Sequence, residues 1–218
     1  MDACGCPEDF ASIFDRRTAE SDRDRFRRHG PDRTTRMLLD LLRPTSGPGA
    51  TLLDIGGGIG AIDQAFLRDG GARAVLVDGS APYQQVAREV AERAQVIDRI
   101  EFLQGDFVRR AADVGPADVV TLDRVVCCYP NADTLVRLSA ERARRAYGLV
   151  LPRDRWFFRV GVALINVAYR LRRRGYRAFA HSNARIDALV AAAGLSRRAE
   201  ARTFLWRVVV YERVAAAA

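Results

Sequence analysis

The chain has 218 residues, 49 % of them hydrophobic, which suits one domain with a full core and excludes global disorder. The formal net charge is +8, but all 35 basic residues are Arg and they are spread through nearly every segment, so the charge does not mark a nucleic-acid face. The polar first nine residues predict no secretory leader, and the longest apolar stretch, 156–169, is interrupted by Arg159 and Asn166 and too short to span a bilayer. The expectation is a cytoplasmic protein, whose four Cys are thiols or ligands rather than disulfides.

In chain order, residues 1–30 read as irregular and charged, with Phe10, Ile13 and Phe14 at the spacing of one helical face. Gly30-Pro31-Asp32 punctuates, and 33–42 reads as a helix with Met37, Leu38, Leu41 and Leu42 inward, closed by Pro44, Gly47, Pro48 and Gly49. From Thr51 strand and helix alternate: strand 51–55, helix 61–68, strand 74–77 ending at Asp78, helix 82–94, strand 100–103, strand 118–122 ending at Asp123, helix 133–145 and strand 147–151. A helix at 184–193, ended by Gly194, precedes two strand-like runs, 195–201 and 203–213, close enough to pair as a hairpin. Apolar strands separated by helices predict an α/β fold with a parallel sheet covered on both faces, here with an antiparallel hairpin at one edge. The division expected is an N-terminal helical cap over 1–45 and a nucleotide-fold domain over 46–218 with a lid insertion, carrying a lid helix, at about 153–182.

The chemistry is carried by Asp54-Ile55-Gly56-Gly57-Gly58-Ile59-Gly60, where glycines follow a strand and open a helix. Without Cβ atoms the backbone turns sharply and a ligand can lie against it, beside the free N–H groups of a helix start. The G-x-G-x-G spacing, the acidic Asp54 two residues before the first glycine and the absence of a following Lys argue against a P-loop. A carboxylate there suits a cationic amino-acid ligand and would repel a pyrophosphate. Asp78, at the end of the second strand, can accept both hydroxyls of a ribose. After the third strand, Gly105-Asp106-Phe107 pairs an acceptor with an aromatic ring, which suits the exocyclic amine and the face of an adenine.

Taken together with Val77-Asp78-Gly79-Ser80 and the 118–123 strand, this series resembles the class I S-adenosylmethionine-dependent methyltransferases over roughly residues 30–213. The resemblance implies a Rossmann-like seven-stranded, mostly parallel sheet with a reversed last strand, and S-adenosyl-L-methionine as cofactor. It also implies roles: Asp54, Gly56, Gly57, Gly58 and Gly60 near the methionine part; Asp78, Gly79 and Ser80 at the ribose; Tyr83 near ribose or adenine; Gly105, Asp106 and Phe107 at the adenine; Asp123 and Arg124 beside the sulfonium. A more distant similarity is to magnesium-protoporphyrin O-methyltransferases. It rests on Leu122-Asp123 followed by Tyr129-Pro130, on Leu151-Pro152-Arg153 leading into Trp156-Phe157-Phe158, and on Phe179-Ala180-His181. Where that family has a His before the Tyr-Pro pair, this chain has Cys128, so the similarity implies the cap architecture and an O-acceptor rather than a porphyrin.

On the acceptor side the candidates are Cys128, His181 and Tyr129. Cys127 and Cys128 follow the fourth strand, where one of the pair can face the acceptor or both can simply fill a strand end. His181 is a base by its ordinary pKa or a capping residue by its place before a helix. The expected partner is a small-molecule acceptor, with neither nucleic acid nor a membrane surface expected. The 156–169 helix reads as a lid with its apolar face inward, its rival being an interfacial helix. Two alternatives stand beside small-molecule methylation. One is an RNA or protein methyltransferase, against which the fourth strand lacks an Asn-Pro-Pro-Tyr-type motif. The other is a non-methylating cofactor- and metal-binding protein using Cys4, Cys6, Cys127 and Cys128, although their spacing is not a standard zinc pattern and no metal ligand is assigned.

Overall fold

The computed structural model describes residues 13–172 and 177–214. Cys4, Cys6 and Phe10 lie outside the described residues. The elements are helix α1 (Arg16–His29), α2 (Arg33–Ser46), strand β1 (Thr51–Ile55), α3 (Ala61–Arg68), β2 (Arg73–Asp78), α4 (Ala81–Arg93), β3 (Ile100–Gln104), the short α5 (Phe107–Arg110), β4 (Ala117–Asp123), α6 (Ala132–Glu141), β5 (Ala143–Pro152), α7 (Trp156–Leu171), α8 (Asn183–Ala192), β6 (Leu195–Arg202) and β7 (Trp206–Arg213).

Among the described residues the strands form one seven-stranded sheet in the order β3-β2-β1-β4-β5-β7-β6. The first five run parallel, whereas β7 inserts antiparallel between β5 and β6. This is the expected Rossmann-like sheet with its reversed last strand. Each central strand sends alternate side chains to two cores, as the period of a strand requires. Leu53, Val120, Leu149 and Val209 join a cluster with Leu135 and Val136 of α6 and Ile186 and Val190 of α8. Leu52, Val119, Val150 and Val208 join one with Leu38 and Leu42 of α2 and Ile62 and Phe66 of α3. Strand order reverses between β1 and β4, so the cleft opens at their carboxyl ends.

Four expectations are corrected. The charged segment before Gly30 is not irregular: it forms α1, capped by Asp15 accepting from the Thr18 N–H and laced by Arg16–Glu20 and Arg25–Asp22 pairs. Helix α2 does not close at Pro44 but continues through it to Ser46, with Leu38 and Leu42 packed under β5. Helix α6 stops at Glu141, and Ala143 to Arg145, good helix formers, are taken into β5 because Ala117 of β4 pairs with Ala143. Thr203 to Leu205, expected in the last strand, form the turn into β7.

Gly148 of β5 shows how closely α2 approaches the sheet. A Cβ there would stand 2.9 Å from Leu38 Cδ1 and 3.3 Å from Leu42 Cδ1, both on fully packed side chains. Gly148→Val is expected to destabilise the fold by about 1–3 kcal/mol through overpacking. Denaturant titration checks this, and an unchanged midpoint would refute so tight a contact.

Candidate active site

The glycine loop between β1 and α3 is shaped by positive φ at Gly56 (67°), Gly58 (58°) and Gly60 (75°), values that side chains with a Cβ rarely adopt. Space is short as well: a Cβ on Gly57 would meet Leu76 at 2.8 Å and Asp54 Oδ2 at 2.9 Å. The loop is clamped to β2 by Asp78, whose Oδ2 accepts from the Gly58 N–H (2.9 Å) and whose Oδ1 accepts from the Ser80 N–H (2.7 Å). Burial pushes the Asp78 carboxyl up to about 6, against the pull of those two N–H donors.

Beneath the loop lies a buried acid pair. Asp54 Oδ1 accepts from the Thr121 hydroxyl at 2.6 Å, while Asp54 Oδ2 and both Asp63 oxygens are buried with no hydrogen-bond donor among the described residues. Burial raises both carboxyls, and the neighbouring charge of Asp63 raises Asp54 further. Two such groups cannot both ionise in a dry pocket, so they either share a proton or meet a cation. Asp63 was not singled out from the sequence, where it reads as an ordinary first-turn acid of α3.

Further along the cleft, Tyr83 and Ser80 serve two elements at once. Ser80 caps α4 by accepting from the Tyr83 N–H, and its hydroxyl donates to the Phe14 carbonyl (2.8 Å). The Tyr83 hydroxyl donates to Asp22 of α1 (2.6 Å), and its ring meets Phe14 edge-on at 5.8 Å. Asp106 caps α5 through the Val108 N–H and accepts from the Tyr129 hydroxyl at 3.0 and 3.1 Å. Phe107 is buried at the cleft wall.

At the mouth, Arg124 sits at φ 62°, a strained conformation for a residue with a side chain. Its guanidinium bridges Asp123 (3.0 Å) and Asp32 (2.9 Å), and Thr35 of α2 donates to the other Asp123 oxygen. Cys127 and Cys128 stand beside this bridge with sulfurs 3.9 Å apart, both thiols directed at the Arg124 carbonyl. The hydrogen bond with Cys128 and then burial push the Cys127 thiol well up, so it stays protonated at neutral pH. His181 is not brought into the cleft: its Nε2 pairs with the Tyr129 carbonyl at 2.9 Å and its ring stacks with Phe179. Asp22, Arg25, Phe26, Asp32 and Thr35 also line the cleft and were not anticipated, because charged residues on a helix read as solvated.

The cleft encloses about 540 Å³. The residues present fit an adenosyl amino acid: an unpaired buried carboxylate oxygen lies under a loop too tight for a Cβ, with acceptors at Asp78 and Asp106 further out. Residues 52–146 match the family described as Methyltransferase domain. This stretch, from β1 into β5, is therefore similar to a methyltransferase domain, the class that the glycine motif resembles. Over 114 residues this domain is 32 % identical to ribosomal protein L11 methyltransferase of Pelotomaculum thermopropionicum, a match covering 52 % of this chain and 34 % of that protein. The chain therefore spans about a third of the length of the curated relative it matches. Magnesium protoporphyrin IX methyltransferase from Synechocystis PCC 6803, solved with bound SAH, superposes with a TM-score of 0.63 at 19 % identity over 95 % of this chain and 86 % of that one. An O-methyltransferase family protein from Burkholderia thailandensis gives 0.67 at 19 % identity over 94 % and 62 %. At these identities the two structures establish the methyltransferase fold.

Asp78→Ala is expected to weaken S-adenosylhomocysteine binding by about 30-fold or more, the loss of charged-acceptor hydrogen bonds, with the fold retained. Calorimetry showing wild-type affinity would remove Asp78 from the site. Because Asp78 titrates near 6 and only its ionised form accepts at both oxygens, affinity is expected to fall as pH drops through about 6. A flat calorimetric profile from pH 5 to pH 8 (roughly the range bracketing that value) would contradict this.

Proposed function

We propose that the protein transfers a methyl group from S-adenosylmethionine to an oxygen of a small, largely apolar acceptor. The observation that carries this reading is the partial roof: Phe14, Phe26, Pro31 and Thr35, in and beside α1 and the start of α2, line the same cleft as the glycine loop and wall it with apolar groups. A concave, largely apolar cleft of that kind suits a small molecule.

When bound, the cofactor supplies an electrophilic methyl group on a sulfonium, so most of the protein's work is orientation and exclusion of water. In this reading the loop glycines and Asp54 hold the methionine part, the Asp54–Asp63 pair giving up its shared proton to receive an ammonium group. Asp78, Gly79 and Ser80 hold the ribose, Tyr83 stands beside it, and Gly105, Asp106 and Phe107 frame the adenine. Asp123 and Arg124, held by Thr35 and Asp32, form the rim beside the transferred group. Cys128 faces the acceptor, with Tyr129 fixing the turn below it through Asp106. A lid role for α7 gains no support from the cleft, to which α7 contributes no lining residue.

Names among the fold relatives favour an oxygen acceptor, since three of them are O-methyltransferases by name. A protein acceptor is the reading suggested by the curated relative's name. The mouth argues against a polyanion such as RNA, because Arg25 and Arg124 are already paired with Asp22 and Asp32. Methyl-labelled S-adenosylmethionine offered with phenols and hydroxylated small molecules is expected to label the small-molecule fraction. Label confined to RNA or protein would overturn the proposal. Cys128→Ala is expected to lower kcat/KM about tenfold while Cys127→Ala changes it less than about threefold. Wild-type kinetics in both would reduce the pair to packing.

A further inference from the structure

Helix α7 is apolar on the side that faces away from the protein. Trp156, Val160, Leu164, Val167 and Leu171 recur every three or four residues and so fall on one line of the helix, and all five are exposed, Leu171 by 80 % and Trp156 by 77 %. The orientation is fixed from the opposite side, where Val162 is buried and Asn166 makes two 2.9 Å hydrogen bonds to the backbone of Ala178. Phe204 and Leu205, in the turn before β7, extend the stripe, Phe204 stacking on Phe157 at 5.4 Å. Among the described residues the large exposed apolar side chains are these seven, together with Ile165, which lies off the stripe on α7, and Val214. A patch so concentrated marks a docking surface.

The charges around it select the occupant. Helix α7 contains no Asp or Glu; Arg159 and Arg170 on it and Arg155 and Arg172 at its two ends are exposed, with Asp154, just before the helix, paired to Arg159. Two copies packed along this stripe would oppose Arg to Arg with no carboxylate on the helix to offset them. A surface that is apolar below and negative above satisfies both features. At 16 residues the helix is too short to cross a bilayer but suited to lie along one.

We propose that α7 and the 204–205 turn dock flat on the surface of a membrane containing anionic lipid, the stripe entering the headgroup region and the Arg side chains meeting phosphate and carboxylate groups. Leu205 is followed directly by Trp206, which lines the cleft, so the docked face and the cleft are adjacent.

The test is sedimentation of the full chain with vesicles of phosphatidylcholine containing phosphatidylserine, against phosphatidylcholine alone. Binding to the anionic vesicles that falls with added salt, with a blue shift of Trp156 emission abolished by Trp156→Phe, is expected. Leu164→Glu with Leu171→Glu should weaken it by about tenfold or more, and Arg170→Gln or Arg172→Gln by about fivefold each. All of these positions are exposed, so melting temperature and S-adenosylhomocysteine affinity should stay at wild-type values. Failure to bind anionic vesicles, equal binding by the Glu variants, or a wild-type dimer in solution that the Glu variants dissociate without any vesicle binding would overturn the proposal.

Discussion

One carboxylate organises the cleft. Asp78 ends β2 and accepts from main-chain N–H groups on two different segments, the glycine loop at Gly58 and the start of α4 at Ser80. The loop cannot hold its own shape by side-chain packing, because its Cβ positions are empty where Leu76, Asp54 and Val125 press in. The clamp therefore fixes the loop relative to the sheet, and the same carboxylate keeps lone pairs for a ligand in the cleft. Its raised pKa follows from this position: a charged acceptor is taken out of water so that it can act on both.

The roof is fastened to the same residues. Ser80 holds the Phe14 carbonyl, Tyr83 holds Asp22, and Asp123 with Arg124 holds Thr35 and Asp32. Cofactor-side and acceptor-side groups thus share their hydrogen bonds with α1 and the start of α2. A ligand that competes for Tyr83 or Asp123 would loosen the roof, and a closed roof pre-orients both.

Much of this was legible in the sequence because the signals were local. Apolar runs such as 51–55 and 118–122 have one stable use, as buried parallel strands, and the glycine cluster after the first of them needs a ligand to explain it. What escaped notice was long-range. Helix α1 buries only Ala19 fully, and beyond Phe26, which packs beside it, its grip is made of ion pairs and polar hydrogen bonds to Gln85 and the Tyr83 hydroxyl that no periodicity reveals. Ala143 and its neighbours have helical propensity, and only the partner strand decides otherwise. The acid at position 63 reads as a capping charge until the fold buries it against Asp54. His181 has the chemistry of a base, and the chain sets its ring nitrogen against the carbonyl of Tyr129.

The central claim is that a side-chain-free loop clamped by a buried carboxylate receives an adenosyl amino acid. Isothermal titration of the wild-type protein with S-adenosylhomocysteine tests it most directly. Saturable binding of one ligand per chain, displaced by S-adenosylmethionine, is the expected result. An absence of heat and of competition at neutral pH, in protein shown to be folded, would contradict it.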